Sequence, residues 1–463
     1  IRNHPAGPDG KITITTDYPD YIPFMTYAIS DARRLELYKK YRQRAYPKNK
    51  KTLNELLKKR YEFARLLGYK DYAEYITEDK MIKNPDNAQK FIDHIATAAD
   101  RRAKKDYEEL LARLRQESPT ATEVGDWQKT YISELVKQES YRVDSREIRS
   151  YFPYDRVQKG VLDLTSKLYN IEYKKVDTLA WHPSVEVYEI WQNQNLLGRF
   201  YLDMHPRQDK FKHAQMSQKL TGVSGRQLPE AVLMCNFPGG DGSLGLMEHD
   251  DVSTFFHEFG HLLHHIFGGN QPWLKLSGIA TEWDFVETPS ILFEEWVWDA
   301  DILKTFAINE AGETIPDELI DKMNRARKFG LGLYNKQQMF YAAISLNFYH
   351  HKYDSFDPLK MVIKLQKQYT PFRYVPETYM HLAFGHLVDY SAIYYTYMWS
   401  EVIAKDIFSV FKAKGLLNPE VAVDYRQKIL EPGGSKDAAD LVRDFLGRDY
   451  SFIAFENWLN ENE

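Results

Sequence analysis

The segment Asp250-Asp-Val-Ser-Thr-Phe-Phe-His257-Glu258-Phe-Gly-His261-Leu-Leu-His264-His265-Ile-Phe-Gly268 decides how this chain reads. Apolar residues at 252, 255, 256, 259, 262, 263 and 266 recur at the spacing of an amphipathic helix, and Gly268 and Gly269 supply its stop. Two acidic residues open it, where they favour the positive end of the helix dipole. Residues four apart share a helix face, so His257 and His261 can offer two imidazole nitrogens to one tetrahedral zinc. Glu258, one residue on, points beside such a metal, where a base can take a proton from water. With 14 histidines in 463 residues, an accidental HExxH is expected only about 0.03 times. Histidines paired merely for packing are the bland alternative.

A catalytic zinc takes three protein ligands and keeps one position open. The metzincin pattern would put Gly at 264 and His at 267, whereas the chain has His264 and Phe267, which excludes that class. A glutamate from a following helix is the alternative, and spacing leaves Glu282, Glu287, Glu294 and Glu295 all open. His264 and His265 read as packing residues or as supports for the ligands.

Around this helix the chain is that of a globular protein. It is 43% hydrophobic and 27% charged with a formal net charge of -5, a balance that speaks against nucleic acid as a general partner. One local basic cluster (Lys39, Lys40, Arg42, Arg44, Lys48, Lys50, Lys51) could form a phosphate or RNA patch, though a solvated helix face is the plainer reading. A single cysteine, Cys235, leaves no intrachain disulfide and no cysteine metal cluster, so any metal must use His, Asp or Glu. No apolar run reaches the roughly 18 residues needed to cross a bilayer, so no membrane partner is expected. The sequence leaves the compartment open, with the cytoplasm the favoured expectation, because a chain beginning with Ile1 rather than Met is also what removal of a targeting segment would leave.

After a polar lead from Pro5 to Gly10, the first third reads as helical, with stretches at about 30 to 67, 85 to 116 and 123 to 135. Between 181 and 236 the texture changes. The run from Val185 to Trp191 alternates, Asn193-Gln-Asn195 makes a turn, Leu197 to Leu202 returns as a second strand, and Ala231 to Asn236 is a further apolar run. Phe237 to Gly242, rich in glycine, is a loop and a possible lid. From His249 onward the pattern is helical again.

The stretch from His257 to Glu295, HEFGHLLHHIF through SGIATEWDFVETPSILFEEW, resembles the thimet oligopeptidase family of zinc metallopeptidases. Asp284-Phe-Val-Glu287 matches the family's DFVE, which implies Glu287 as the third zinc ligand. Arg65-Leu-Leu-Gly-Tyr69 with Ala73, Gly198-Arg-Phe-Tyr-Leu-Asp203 with Pro206-Arg207, and Phe445-Leu-Gly-Arg448 extend the resemblance over nearly the whole chain. The segment His386-Leu-Val-Asp-Tyr390-Ser-Ala-Ile-Tyr394-Tyr-Thr-Tyr397 resembles the family's His- and Tyr-rich segment. There the resemblance implies that His386, Tyr394 and Tyr397 face the metal and bind the substrate or its oxyanion, and that Tyr390 contacts substrate. The run 231–236 matches a family edge strand that pairs with an extended peptide, while an ordinary buried strand is the alternative. Two positions depart from the pattern, Trp283 where Arg is usual and Ile291 where Gln is usual; neither is a ligand or the base. The family's additional N-terminal helical region is expected to be absent from this chain.

The resulting expectation is a mainly α, zincin-type metallopeptidase with a small β-sheet beside the active-site helix and two helical lobes around a substrate channel. It treats 1–463 as one catalytic region, with about 141–329 carrying the zinc site and 1–140 and 330–463 forming helical walls. One zinc ion and short peptide substrates are implied, cleaved by an endopeptidase or dipeptidyl carboxypeptidase. Arg199, Arg207 and Arg226 are candidates to hold a free carboxylate. The competing reading is a catalytically impaired zinc-containing peptide-binding protein.

Overall fold

The computed structural model describes residues 6–16, 18–211, 213–240 and 242–460. Pro5 of the lead and Asp241 of the glycine-rich loop lie outside the described residues. The principal helices, in chain order, are α1 (Asn49–Leu66), α2 (Pro85–Ala98), α3 (Asp100–Glu117), α4 (Tyr154–Tyr169), α5 (His249–Phe267), α6 (Thr288–Glu294), α7 (Leu331–Tyr349), α8 (Pro358–Tyr369) and α9 (Thr396–Lys414). The strands are β1 (Glu172–Lys175), β2 (Glu186–Gln192), β3 (Asn195–Asp203), β4 (Gln215–Leu220) and β5 (Glu230–Met234). The architecture is mainly helical with one small sheet, as the sequence predicts.

The chain divides into two compact units. Unit 1 comprises Ile1–Glu78, Ile82–Arg142 and Arg325–Tyr395. It is helical, with α7 packed against α1, α2, α3 and α8. One of its clusters gathers Leu110, Leu114, Tyr131, Ile132 and Phe329, so residues far apart in sequence share one core. Where the sequence suggests one helix over 123–135, the helix runs only Lys129–Val136. Residues 125–128 form a turn in which the Gly125 amide donates to Gln128 Oε1 at 2.9 Å.

Unit 2 comprises Asp79–Met81, Val143–Asn324 and Thr396–Glu463. Its sheet has the order β1-β2-β3-β5-β4, antiparallel except for the parallel β3–β5 pair. Asn193 and Gln194 adopt positive φ of 47° and 64°, the left-handed geometry of a tight hairpin turn between β2 and β3. Of the two readings of 231–236, the structure shows the buried strand and not the edge: β5 sits between β3 and β4, and β4 is the edge strand on that side. The reason is visible in burial, since Ala231, Val232 and Leu233 are enclosed, as a strand with neighbours on both sides requires. The edge strand Gln-Met-Ser-Gln-Lys-Leu is mostly polar and carries little apolar signal, so it escaped the reading from sequence.

Helix α5 packs on β3, β4 and β5. Val252, Phe255, Phe256, Phe259 and Leu262 are completely buried, each contributing about 1.5–3 kcal/mol of burial. Its start is fixed by a capping box between Glu248 and Asp251. Gly260 lets α6 cross closely, because a Cβ there would stand 2.8 Å from Ser290 Cα and 3.0 Å from the Pro289 carbonyl oxygen. Among the described residues, no helix is long and apolar enough to cross a membrane.

Candidate metal centre and active site

The crossing at Gly260 brings the start of α6 against the face of α5 that carries the two histidines. His261 Nε2 lies 3.1 Å and His257 Nε2 lies 3.3 Å from Glu287 Oε2. Their rings stand 4.9 Å apart at 80°. Ligands held at about 2.0–2.1 Å around a tetrahedral zinc stand roughly 3.3 Å from one another, so this spacing fits one such ion. Among the described residues, His257, His261 and Glu287 form the one group able to hold a metal in this way.

The other three glutamates left open by spacing are engaged elsewhere. Glu282 accepts from the Ala438 amide, with both carboxylate oxygens at 3.1 Å. Glu295 is buried against Lys405 at 2.5 Å. Glu294 lies one step behind the centre, 2.7 Å from His257 Nδ1. That contact fixes which ring nitrogen faces Glu287, and a carboxylate behind a ligand histidine also raises its basicity. The i, i+7 spacing of Glu287 and Glu294 on a helix was the signal that could have found it. Asp284 accepts from the Met81 amide at 2.9 Å, and Ser400 of α9 donates to the Asp284 carbonyl at 2.9 Å, which ties the DFVE segment to the first turns of α9.

Charge follows this geometry. Burial disfavours the charged form of His257, but Glu287 and Glu294 outweigh it and raise its pKa well above the ordinary histidine value. Burial likewise opposes ionisation of Glu287, yet His257 and His261 hold that carboxyl far below the usual range. The result is an anionic nest around two imidazoles. His264 differs: its ring is fully buried, neither nitrogen has a hydrogen-bond partner, and burial lowers its pKa to about 3, so it packs as a neutral ring. His265 Nε2 lies 3.0 Å from the Leu220 carbonyl and fastens α5 to the end of β4.

Glu258 is buried, and its Oε2 accepts from the Met216 amide of β4 at 2.6 Å. The sheet thus holds the carboxylate by one oxygen. Tyr397 belongs to unit 2 and lies in the first turn of α9. His386, Tyr390 and Tyr394 belong to unit 1, where they cluster: the His386 ring is 4.8 Å from that of Tyr394 and 5.5 Å from that of Tyr390. The Tyr394 hydroxyl donates to Gln338 Oε1 at 3.0 Å, and Ser345 donates to the Tyr390 carbonyl at 2.7 Å.

Of the three arginines, Arg199 pairs with Glu189 at 2.9 Å and Arg207 pairs with Asp203. Arg226 lines a cavity of about 670 Å³ beside the C-terminal end of α5. In the loop 237–242, Gly239, Gly240 and Gly242 all have positive φ, a backbone suited to glycine.

Comparison with known proteins adds the family. The model of peptidase family M3 matches residues 24–461. Oligopeptidase A of Escherichia coli (strain K12) is 33% identical over 459 residues, an alignment spanning 94% of this chain and 67% of that protein. The organellar oligopeptidase A of Arabidopsis thaliana, named as chloroplastic/mitochondrial, is 32% identical over 475 residues, covering 96% of this chain and 59% of the relative. Among solved structures, PZ peptidase A with an inhibitor superposes with a TM-score of 0.61 at 13% identity, covering 96% of this chain and 71% of that one, a likeness of fold. The chain belongs to peptidase family M3 and is a metallo-oligopeptidase acting on peptides.

Proposed function

We propose that this chain hydrolyses peptide bonds in short peptides with one zinc ion held by His257, His261 and Glu287, and with Glu258 as the general base. The observation that carries the reading is the spacing of three donor atoms within 4.8 Å of one another, backed by Glu294 on the first histidine. When bound, the ion supplies Lewis acidity, which lets water lose a proton near neutral pH and polarises the scissile carbonyl. Glu258 takes that proton at its free oxygen, Oε1, and then delivers it to the leaving amine. Tyr397 offers its O–H to the negative charge growing on the carbonyl oxygen. His386 and Tyr394 are assigned to the same oxygen, and Tyr390 to the peptide, on the strength of their sequence motif.

A quenched fluorescent peptide tests this reading. Wild type should cleave it, a chelator should stop cleavage, added zinc should restore it, and Glu258→Ala should lower kcat by about 10²–10⁴-fold while retaining zinc. Equal inertness of wild type and Glu258→Ala, with both holding zinc, would leave a peptide-binding protein in place of a peptidase.

A further inference from the structure

The last turn of α5 borders a cavity that the peptidase chemistry does not use. It encloses about 670 Å³ within unit 2, inside the size range of pockets for organic ligands. Leu196 and Leu197 come from the start of β3, Leu228 and Pro229 from the loop 221–229 between β4 and β5, and Ile266 and Phe267 from α5. None of His257, Glu258, His261 and Glu287 lines it. Its walls are tied to one another. The Ser224 amide donates to the Gln271 carbonyl at 3.0 Å, Gln271 Nε2 donates to the Glu431 carbonyl at 2.8 Å, and Val223 and Gln227 exchange backbone hydrogen bonds at 2.8 and 2.9 Å. The space is thus framed before any ligand enters it.

The decisive residue is Arg426, which is only 8% exposed. An arginine so enclosed ordinarily spends its donors on protein acceptors. Here Nε donates to Glu431 Oε1 at 2.8 Å, and the guanidinium covers the Phe267 ring at 4.0 Å from its centroid. Neither Nη nitrogen donates to a described residue and neither is sealed off, so both turn their N–H groups to the cavity. Arg226 lines the same space, exposed, and its guanidinium has no partner among the described residues. Against these two cations the lining holds one carboxylate, that of Glu431, which Arg426 already engages. The excess is positive, and its planar forks match the two oxygens of a carboxylate.

The apolar wall narrows the choice of anion. An inorganic ion would leave Leu196, Leu197, Leu228 and Ile266 idle, whereas an aliphatic chain laid on them gains about 25 cal/mol for each Å² it buries. A nucleotide would need a ring to stack its base on. Among the lining residues the one aromatic ring is that of Phe267, and Arg426 covers its face. The Asn270 side-chain amide, exposed and without a partner among the described residues, can meet a peptide group. A simple fatty acid carries no such group.

We propose that this cavity binds the carboxyl-terminal end of a short aliphatic peptide, its carboxylate on the Nη groups of Arg426 and on Arg226, its side chains against the leucines and Ile266, and a main-chain amide on Asn270. Hydrolysis of a peptide bond creates a new carboxyl terminus, so the occupant belongs to a class of molecule that a peptidase both meets and makes. The site stands apart from the proposed metal centre and does not depend on it.

Calorimetric titration of the zinc-loaded full chain with N-acetyl-Leu-Leu tests the site, with Glu287→Ala run beside it to remove binding at the metal centre. Both proteins should bind the peptide saturably, with a dissociation constant below about 1 mM. In the Glu287→Ala background, adding Arg226→Glu at its exposed position should weaken the peptide at least about tenfold without moving the thermal midpoint of the free protein. Replacing the peptide's carboxylate by an amide should cost a similar factor, and so should Leu228→Asp. Binding that disappears in Glu287→Ala would place the peptide at the metal centre and overturn the proposal. Indifference to Arg226→Glu, an amide that binds as tightly as the acid, or acetate that binds as tightly as the peptide would each do the same. So would octanoate binding more tightly than the peptide, which would make the cavity a fatty-acid site.

Discussion

His257 in unit 2 and His381 in unit 1 are both largely enclosed, yet their surroundings pull in opposite directions. Burial disfavours charge at each. At His257 two glutamates overturn that effect and raise the pKa, whereas at His381 only the charge of Asp357 opposes burial, and the pKa falls to about 4. A histidine ringed by carboxylates sits in a nest built for positive charge, which a divalent ion satisfies better than a proton. His381 is instead enclosed as a neutral ring whose Nδ1 has no hydrogen-bond partner. The same side chain thus stands at the proposed metal centre in one unit and as a neutral packed ring in the other.

The strongest way to break this contrast is to remove the carboxylate that both proposed ligand histidines face. Glu287→Ala should abolish zinc retention after dialysis and lower peptide hydrolysis by at least about 10³-fold, the equivalent of about 4 kcal/mol. Metal analysis with a thermal melt checks it, and an inactive variant that keeps stoichiometric zinc would contradict the assignment.

The second effect is a pH dependence on the His381 side. Its folded pKa lies below the unfolded value, so between about pH 6.5 and pH 4 the unfolded chain binds a proton that the folded chain does not. Stability is therefore complete above pH 6.5 and falls as the pH drops, by up to about 3 kcal/mol at pH 4. Urea midpoints measured across that window should flatten in His381→Asn relative to wild type. An unchanged slope would remove His381 as the titrating group.

The smallest effect sharpens the other side. Glu294→Ala leaves all three proposed ligands in place and should weaken zinc by about 10–100-fold, with Glu294→Gln intermediate because it can still orient the ring. Competition against a zinc-sensitive dye would resolve it. If alanine and glutamine variants hold zinc as wild type does, Glu294 is merely packed against the site.

The legible parts of this molecule were those written locally. A helix announces its period, its cap and its paired histidines within a few residues, so α5, the hairpin of β2 and β3, and the pair His257 and His261 could all be read directly. Glu287 could not be separated from Glu282, Glu294 and Glu295 by spacing; the family motif singled it out, and the close crossing at Gly260 is where the fold itself separates them. The polar edge strand β4 gives little signal because an edge needs little apolar character, and the sequence leaves β5 open between an edge and a buried strand until its neighbours are seen. His381 also gave no signal, because an unpaired ring nitrogen is a property of packing and not of pattern.

The Met216 amide on Glu258 carries one more consequence. With Oε2 committed to β4, the carboxylate has a single oxygen to spare and few rotamers left to lose, so the proposed base reaches the reaction already aimed and one-handed. Its orientation is inherited from the edge of the sheet. A shift of that edge by an ångström would re-aim Glu258 without touching a proposed ligand, which makes the plain, polar strand a part of the proposed catalytic geometry.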